Sequence, residues 1–133
     1  MSKTFVLKIL TPEKVVLSLE AEKVLTIAGS GDIEFMPDHE PTIVNTIPCV
    51  TKYTDSEGNS KVLFTSKGIV SFGNNELTFC CESAELPEEI DIQRASEAKR
   101  RAEERLNDQK YDKNRAEFAL IKANVRMHLK KHQ

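Results

Sequence analysis

From Glu88 to Gln133 the chain contains neither glycine nor proline, whereas the first eighty-odd residues are cut into short pieces by turn residues. That change of grammar constrains the fold more than any other feature. Before it, apolar and β-branched runs of strand length alternate with turn signals. "FVLKIL" ends at Thr11-Pro12, and "VVLSLEAEKVLTIAG" holds two candidate strands ending at Gly29. "CVTKYT" and "KVLFTS" flank "DSEGN", a hairpin loop around Gly58, and "GIVSF" and "ELTFCCE" flank the tighter "GNN". Short strands at this spacing predict a sandwich or flattened barrel. The chain therefore reads as two parts, a β domain over residues 1–86 and a helical domain over 87–133.

Beyond Pro87, Glu88, Glu89 and Asp91 put negative charge where a helix dipole favours it. Ala95, Ala98, Ala102 and Leu106 recur at steps of three and four, a stripe of small side chains that lets a second helix approach closely. Glu97 and Arg101 are spaced for an i,i+4 ion pair. "NDQKYD", residues 107–112, is the one plausible break. After it, Ala116, Leu120, Ala123 and Met127 repeat the small-and-apolar stripe, and Phe118, Ile121, Val125 and Leu129 form a second one. An antiparallel hairpin hides the alanine stripes. Nothing in the segment forbids one continuous helix, which would need a partner to cover them.

Charge follows the same division. Residues 1–88 carry 7 Lys/Arg against 13 Asp/Glu, and residues 89–133 carry 12 against 8, so an acidic body precedes a basic tail. The basic run "KRRAEERL" is interleaved with acids and the whole chain is acidic, which argues against nucleic acid as a partner. No run of 18 apolar residues is present to span a membrane. "MSKTFVLKIL" enters a strand pattern at once and does not read as a signal peptide. Cys49, Cys80 and Cys81 form no C-x-x-C pair, and neighbours on a strand face opposite ways, so three free thiols are expected.

A search for chemistry finds no catalytic motif and no metal-ligand set. "GSGDIE" has Glu34 where a dinucleotide fingerprint needs its third glycine, and no helix follows. His39 has no nucleophile motif to serve, and His128 and His132 suit a helix end better than a metal. "GDIEFMPDHEPT" alternates acids with apolar residues between stiffening prolines, which suits an acidic surface loop or a rigid docking loop. In the helical part, a turn centred near residue 110 sets Arg94 opposite Arg126, with Lys122 one turn from Arg126 and Arg101 two turns from Arg94. Such cations can hold a polyphosphate, with Asp91 and Glu85 as acceptors for an adenine amino group. The same residues also fit a solvated charged face, and that reading stays open on the sequence alone.

The order of β-sandwich, proline-stiffened loop and helical hairpin resembles the epsilon subunit of F-type rotary ATP synthases. The likeness covers essentially the whole chain. It is carried by "LTPEKVVLSLEAEKV", by "GDIEFMPDHEPT" and by "IDIQRA" at the helix start. Of the family's loop pattern the chain keeps Gly31, an acid at Asp32, Pro37, His39 and Pro41, and it has Glu34 and Asp38 where glycines are usual. The resemblance implies an α+β fold, with an N-terminal ten-stranded β-sandwich followed by an antiparallel two-helix hairpin.

It further implies a non-catalytic subunit of the central stalk with no required cofactor. Such a subunit binds the gamma subunit, sits on the ring of c subunits through Asp32 and His39, and reaches the alpha/beta catalytic head when the helices extend. Extension inhibits ATP hydrolysis. Membrane association would be indirect, at the cytoplasmic face of a bacterial inner membrane or the stromal face of a plastid thylakoid. Ile90-Asp91-x-x-Arg94-Ala95 also matches the signature of members whose hairpin binds ATP as a regulatory ligand. Glu85, Ile90, Asp91, Arg94, Arg101, Lys122 and Arg126 would then hold it, with Lys122 in place of an arginine. The rival reading is a freestanding ATP-sensing module.

Overall fold

The computed structural model describes residues 3–131. It divides into two compact units, Met1–Glu85 and Leu86–Gln133.

Among the described residues the first unit contains nine strands: β1 Phe5–Leu10, β2 Val15–Ala28, β3 Gly31–Phe35, β4 Thr42–Thr46, β5 Cys49–Asp55, β6 Ser60–Thr65, β7 Gly68–Gly73, β8 Glu76–Cys81 and β9 Ala84–Glu85. Nine rather than ten follows from β2. The two candidate strands in "VVLSLEAEKVLTIAG" are one strand serving both layers of the sandwich. Its first half pairs with β1 from Leu10↔Val15 to Phe5↔Ala21, and its second half pairs with β3 and β5. The changeover falls at a register shift between Ala21 and Lys23, where a bulge re-aims the chain. One layer runs β4-β7-β8-β1 into β2, and the other runs from β2 through β5 and β6 to β9, with β3 also on β2. The segment read as a loop from Gly31 is thus a strand as far as Phe35, and the irregular part begins at Met36.

Alternation makes the core. β1 buries Phe5, Leu7 and Ile9, β8 buries Leu77, Phe79 and Cys81, and the facing layer supplies Val24, Tyr53 and Leu63. Among these apolar groups lies a chain of buried hydroxyls. Thr51 Oγ1 is 2.8 Å from Thr26 Oγ1 and 2.7 Å from Thr65 Oγ1, with Cys49 Sγ 3.3 Å from Thr26. Each hydroxyl satisfies its neighbour, which is what makes burying them tolerable.

Both expected hairpins form. Gly73↔Glu76 closes a two-residue turn of Asn74 and Asn75 with φ of 50° and 58°, the left-handed pair that a tight hairpin demands. In the other, the Asp55 carboxylate accepts the Glu57 and Asn59 N–H groups at 2.9 Å each. The Asn59 bond holds the Asp55 carboxyl below its ordinary value. Gly68 opens β7 where any Cβ would collide with the Cys80 carbonyl oxygen.

The second unit starts with a 3-10 turn, Pro87–Glu89, followed by α1 Ile92–Leu106 and α2 Lys113–Lys131. The break falls where it was expected, at residues 107–112. The buried residues of α1 are Ala95 and Ala102, two turns apart, and α2 answers with Ala116 and Ala123 at the same spacing. Small side chains at a heptad repeat let the two backbones approach. Of the second stripe, Leu129 is buried and Phe118 and Ile121 are exposed. The ion pair on α1 joins Arg100 to Glu104 at 2.8 Å, and Glu97 and Arg101 form none.

Candidate functional site

In the first unit, Met36 to Pro41 folds against an aromatic cluster. The Phe35 and Phe72 rings stack at 5.7 Å, and His39 lies 4.8 Å from Phe35 and 5.5 Å from Phe72. His39 Nδ1 donates to the Glu40 carbonyl at 2.8 Å, which fixes the proton on that nitrogen. Asp38 stands at φ 65°, a left-handed conformation natural to glycine and tolerated by aspartate, and its N–H donates to Asn75 Oδ1 at 2.7 Å. The β7–β8 turn therefore anchors the loop. Glu34 needs no such conformation, because it pairs with Leu25 inside β3. Asp32 is exposed on the same strand, while His39 is half-buried with its ring committed to the cluster.

Beside this loop lies an apolar surface. Ile43 is 75% exposed and Ile69 51%, and both sit on the outward side of the paired strands β4 and β7. Cys80 continues that side onto β8, opposite Ile69. Its neighbour Cys81 points inward, and burial pushes its thiol up to about 12. All three cysteines are free.

In the hairpin unit each predicted residue has a definite place. Asp91 is the N-cap of α1, its carboxylate accepting the Gln93 N–H at 3.0 Å and the Arg94 N–H at 3.2 Å. Ile90 is 3% exposed and ends the 3-10 turn, with its N–H donating to the Pro87 carbonyl. Glu89 accepts the Leu86 N–H at 3.0 Å, and Lys130 Nζ donates to the Pro87 carbonyl at 3.2 Å, which ties the end of α2 to the unit's first turn. Arg94 and Arg101 are exposed, and Lys122 and Arg126 are half-buried. Glu85 belongs to the first unit, in β9 opposite Phe64. His128 is exposed near the end of α2, and His132 lies outside the described residues.

The start of α2 copies the start of α1. Asp112 caps it by accepting the Asn114 N–H at 2.9 Å and the Arg115 N–H at 3.4 Å. Asp91-x-x-Arg94-Ala95 and Asp112-x-x-Arg115-Ala116 are thus one pattern used twice, and each continues through a further alanine and a base, Arg101 or Lys122, to a buried alanine. Lys122 lines a cavity of about 510 Å³ together with Arg105, Lys110, Tyr111, Asp112 and Arg115. Arg94, Arg101 and Arg126 do not line it. Arg105, Lys110 and Arg115 were not singled out from the sequence as site residues, and the repeated capping pattern marks Arg115 as the counterpart of Arg94.

A β-sandwich joined to a helical hairpin with a capping aspartate at each helix start defines the class of protein. Comparison with known sequences sharpens it. Residues 4–87 match the family described as ATP synthase, Delta/Epsilon chain, beta-sandwich domain, and residues 88–131 match its long alpha-helix domain. The ATP synthase epsilon chain of Clostridium botulinum is 42% identical over 132 residues, covering 98% of each chain. That of Clostridium perfringens is 50% identical over 102 residues, 77% of each. Among solved structures, a chain of the Euglena gracilis mitochondrial ATP synthase OSCP/F1/c-ring complex superposes with a TM-score of 0.78 at 17% identity, covering 94% of this chain and 80% of that one. This chain belongs to the ATP synthase delta/epsilon chain family.

Proposed function

We propose that the chain is a non-catalytic central-stalk subunit of an F-type ATP synthase, which couples rotation to proton transport and restrains ATP hydrolysis through its C-terminal hairpin. The observation that carries this reading is the end-to-end match to a relative named as an ATP synthase epsilon chain, 98% of both lengths. Physical features of each unit support it. The exposed Ile43 and Ile69 side of the sandwich suits a protein partner, because contiguous exposed apolar surface marks interaction sites, and the gamma subunit is the partner proposed for it. Asp32, exposed on β3, and the loop around His39 are the proposed contacts with the polar loops of the c ring.

The hairpin is proposed to move. Residues 107–112 contain no glycine or proline and no residue at positive φ. The break between the helices is held by side-chain caps from Asp108 and Asp112, at 2.9 Å to the N–H groups of Lys110 and Asn114, and not by a backbone that helix cannot adopt. The extended state then exposes the alanine stripes to a partner, proposed to be the alpha/beta head. ATP bound through the hairpin residues Arg94, Arg101, Lys122 and Arg126, with Ile90 and Asp91 also proposed to contribute, would favour the hairpin by mass action, by about 2.7 kcal/mol at a hundredfold excess over its Kd.

No described helix is long and apolar enough to cross a membrane, and the subunit is proposed to be peripheral, held through its complex at the cytoplasmic face of a bacterial inner membrane. The test is co-purification of the tagged chain from its source cells. Recovery with a gamma chain and a c ring is expected, and recovery alone supports the freestanding ATP-sensing module instead.

A further inference from the structure

At one edge of their layer the strands β4, β8 and β1 end and β7 begins, and cross-strand neighbours there form a row. Asn45 stands opposite Ile69, Ile69 opposite Cys80, and Cys80 opposite Leu10. The row lines a cavity of about 620 Å³. Thr46 lines it too, and this residue is 4% exposed with no hydrogen-bond partner for its Oγ1 among the described residues. The buried hydroxyls of Thr26, Thr51 and Thr65, by contrast, satisfy one another. Thr46 faces Gly68 across the β4–β7 pair, so no side chain from that position fills the space beside it. A buried hydroxyl at an apolar cavity needs one polar atom to complete it. We propose that this cavity binds a neutral, largely apolar small molecule carrying one hydrogen-bonding oxygen, such as an alcohol or a phenol.

The lining sets that class of ligand. Leu10, Pro12 and Ile69 supply apolar wall, and the Cys80 thiol among them behaves as a small hydrophobe. The Thr11 hydroxyl, also at the cavity, is engaged within its own turn, where it accepts the Lys14 N–H at 3.3 Å. Thr46 is therefore the hydroxyl left to meet a ligand. At the rim Lys67 pairs with Glu82 at 3.5 Å. One charge of each sign gives the rim no preference for an anion or a cation, and a charged ligand would lose its hydration against the apolar wall. The volume is that of a small-molecule site rather than of a single trapped atom or ion. Ile69 also belongs to the apolar side proposed for the gamma subunit, so on that reading a bound ligand and the gamma subunit exclude each other. Binding to the free chain does not depend on it.

The experiment is an NMR titration of the full chain with 2-naphthol, naphthalene and 2-naphthoate, which share one ring system and differ in its polar group. Naphthol is expected to give saturable shifts centred on Thr46, Ile69 and Cys80. It should bind roughly three- to tenfold more tightly than naphthalene, the worth of one hydrogen bond. Naphthoate should bind more weakly than naphthol. Thr46→Val keeps the shape of the site and should remove the advantage of naphthol over naphthalene. If that variant unfolds, Ile69→Ser, at an exposed position, serves instead and should weaken both ligands. Absence of saturable shifts at this edge overturns the proposal, as does a naphthol advantage that survives Thr46→Val or binding that Ile69→Ser leaves unchanged. Naphthoate binding as tightly as naphthol overturns it as well. Naphthol that binds here without impeding capture of a gamma chain leaves this site standing and removes the gamma subunit from it.

Discussion

Asp91 and Arg94 meet through the backbone: the Asp91 carboxylate accepts the Arg94 N–H at 3.2 Å and leaves the guanidinium of Arg94 exposed. The Ile90-Asp91-x-x-Arg94-Ala95 signature therefore divides by role. Ile90 and Ala95 are buried and Asp91 caps the helix, so all three serve the fold, while the Arg94 side chain is exposed.

This division predicts opposite effects at two neighbouring positions. Asp91→Ala removes an N-cap and should destabilise the hairpin by about 1 kcal/mol, while Asp91→Asn should be nearly neutral. Arg94→Ala should change stability by less than ~0.5 kcal/mol, as exposed substitutions do, and should weaken ATP binding. Urea unfolding followed by circular dichroism, beside an ATP titration of each variant, separates the two effects.

The seam between the helices should be intolerant of size. Ala102 is 2% exposed and Ala123 fully buried, so Ala102→Leu or Ala123→Leu forces the helices apart at a cost of about 1–3 kcal/mol. Loss of the helical amide signals of α2, with those of the sandwich unchanged, is the expected NMR result. An exposed control, Glu103→Leu, should leave the hairpin intact.

The two adjacent thiols should behave differently. Cys80 is exposed and should be alkylated in the native protein, and Cys81 only after unfolding. The Cys81 thiol is raised to about 12 by burial, whereas in the unfolded chain a thiol titrates near ~8.5. Above that lower value the unfolded chain loses the proton first, so this contribution to stability is whole below pH ~8.5 and falls away as pH climbs toward 12. Cys81→Ala should flatten the alkaline decline in stability measured by urea unfolding between pH 8 and 11.

The hydroxyl chain in the sandwich predicts a further loss. Thr51 links Thr26 to Thr65, so Thr51→Val strips a partner from two buried hydroxyls at once. A cost of about 1–3 kcal/mol is expected from the groups left unsatisfied. Replacing all three threonines by valine should recover part of it, which equilibrium unfolding of both variants would show.

Much of this architecture was legible because it rests on local rules. The break at 107–112 is where both alanine stripes lapse, and "GNN" can hardly be anything but a tight turn. What escaped needed knowledge of pairing. β2 reads as two strands because its apolar pattern changes at Ala21, yet the change marks a move from one layer to the other. Gly31 to Phe35 reads as loop because its acids point outward, and only its pairing with β2 shows a strand. Arg105 and Arg115 come from different helices, and folding of the turn is what brings them to one cavity.

The most direct test of the account is the rate of ATP hydrolysis by the assembled enzyme containing either the full chain or one ending at Leu86. Removal of the hairpin should raise the rate while the shortened chain remains bound to the complex. Equal rates, with both forms present in stoichiometric amount, would contradict the regulatory role assigned to the hairpin.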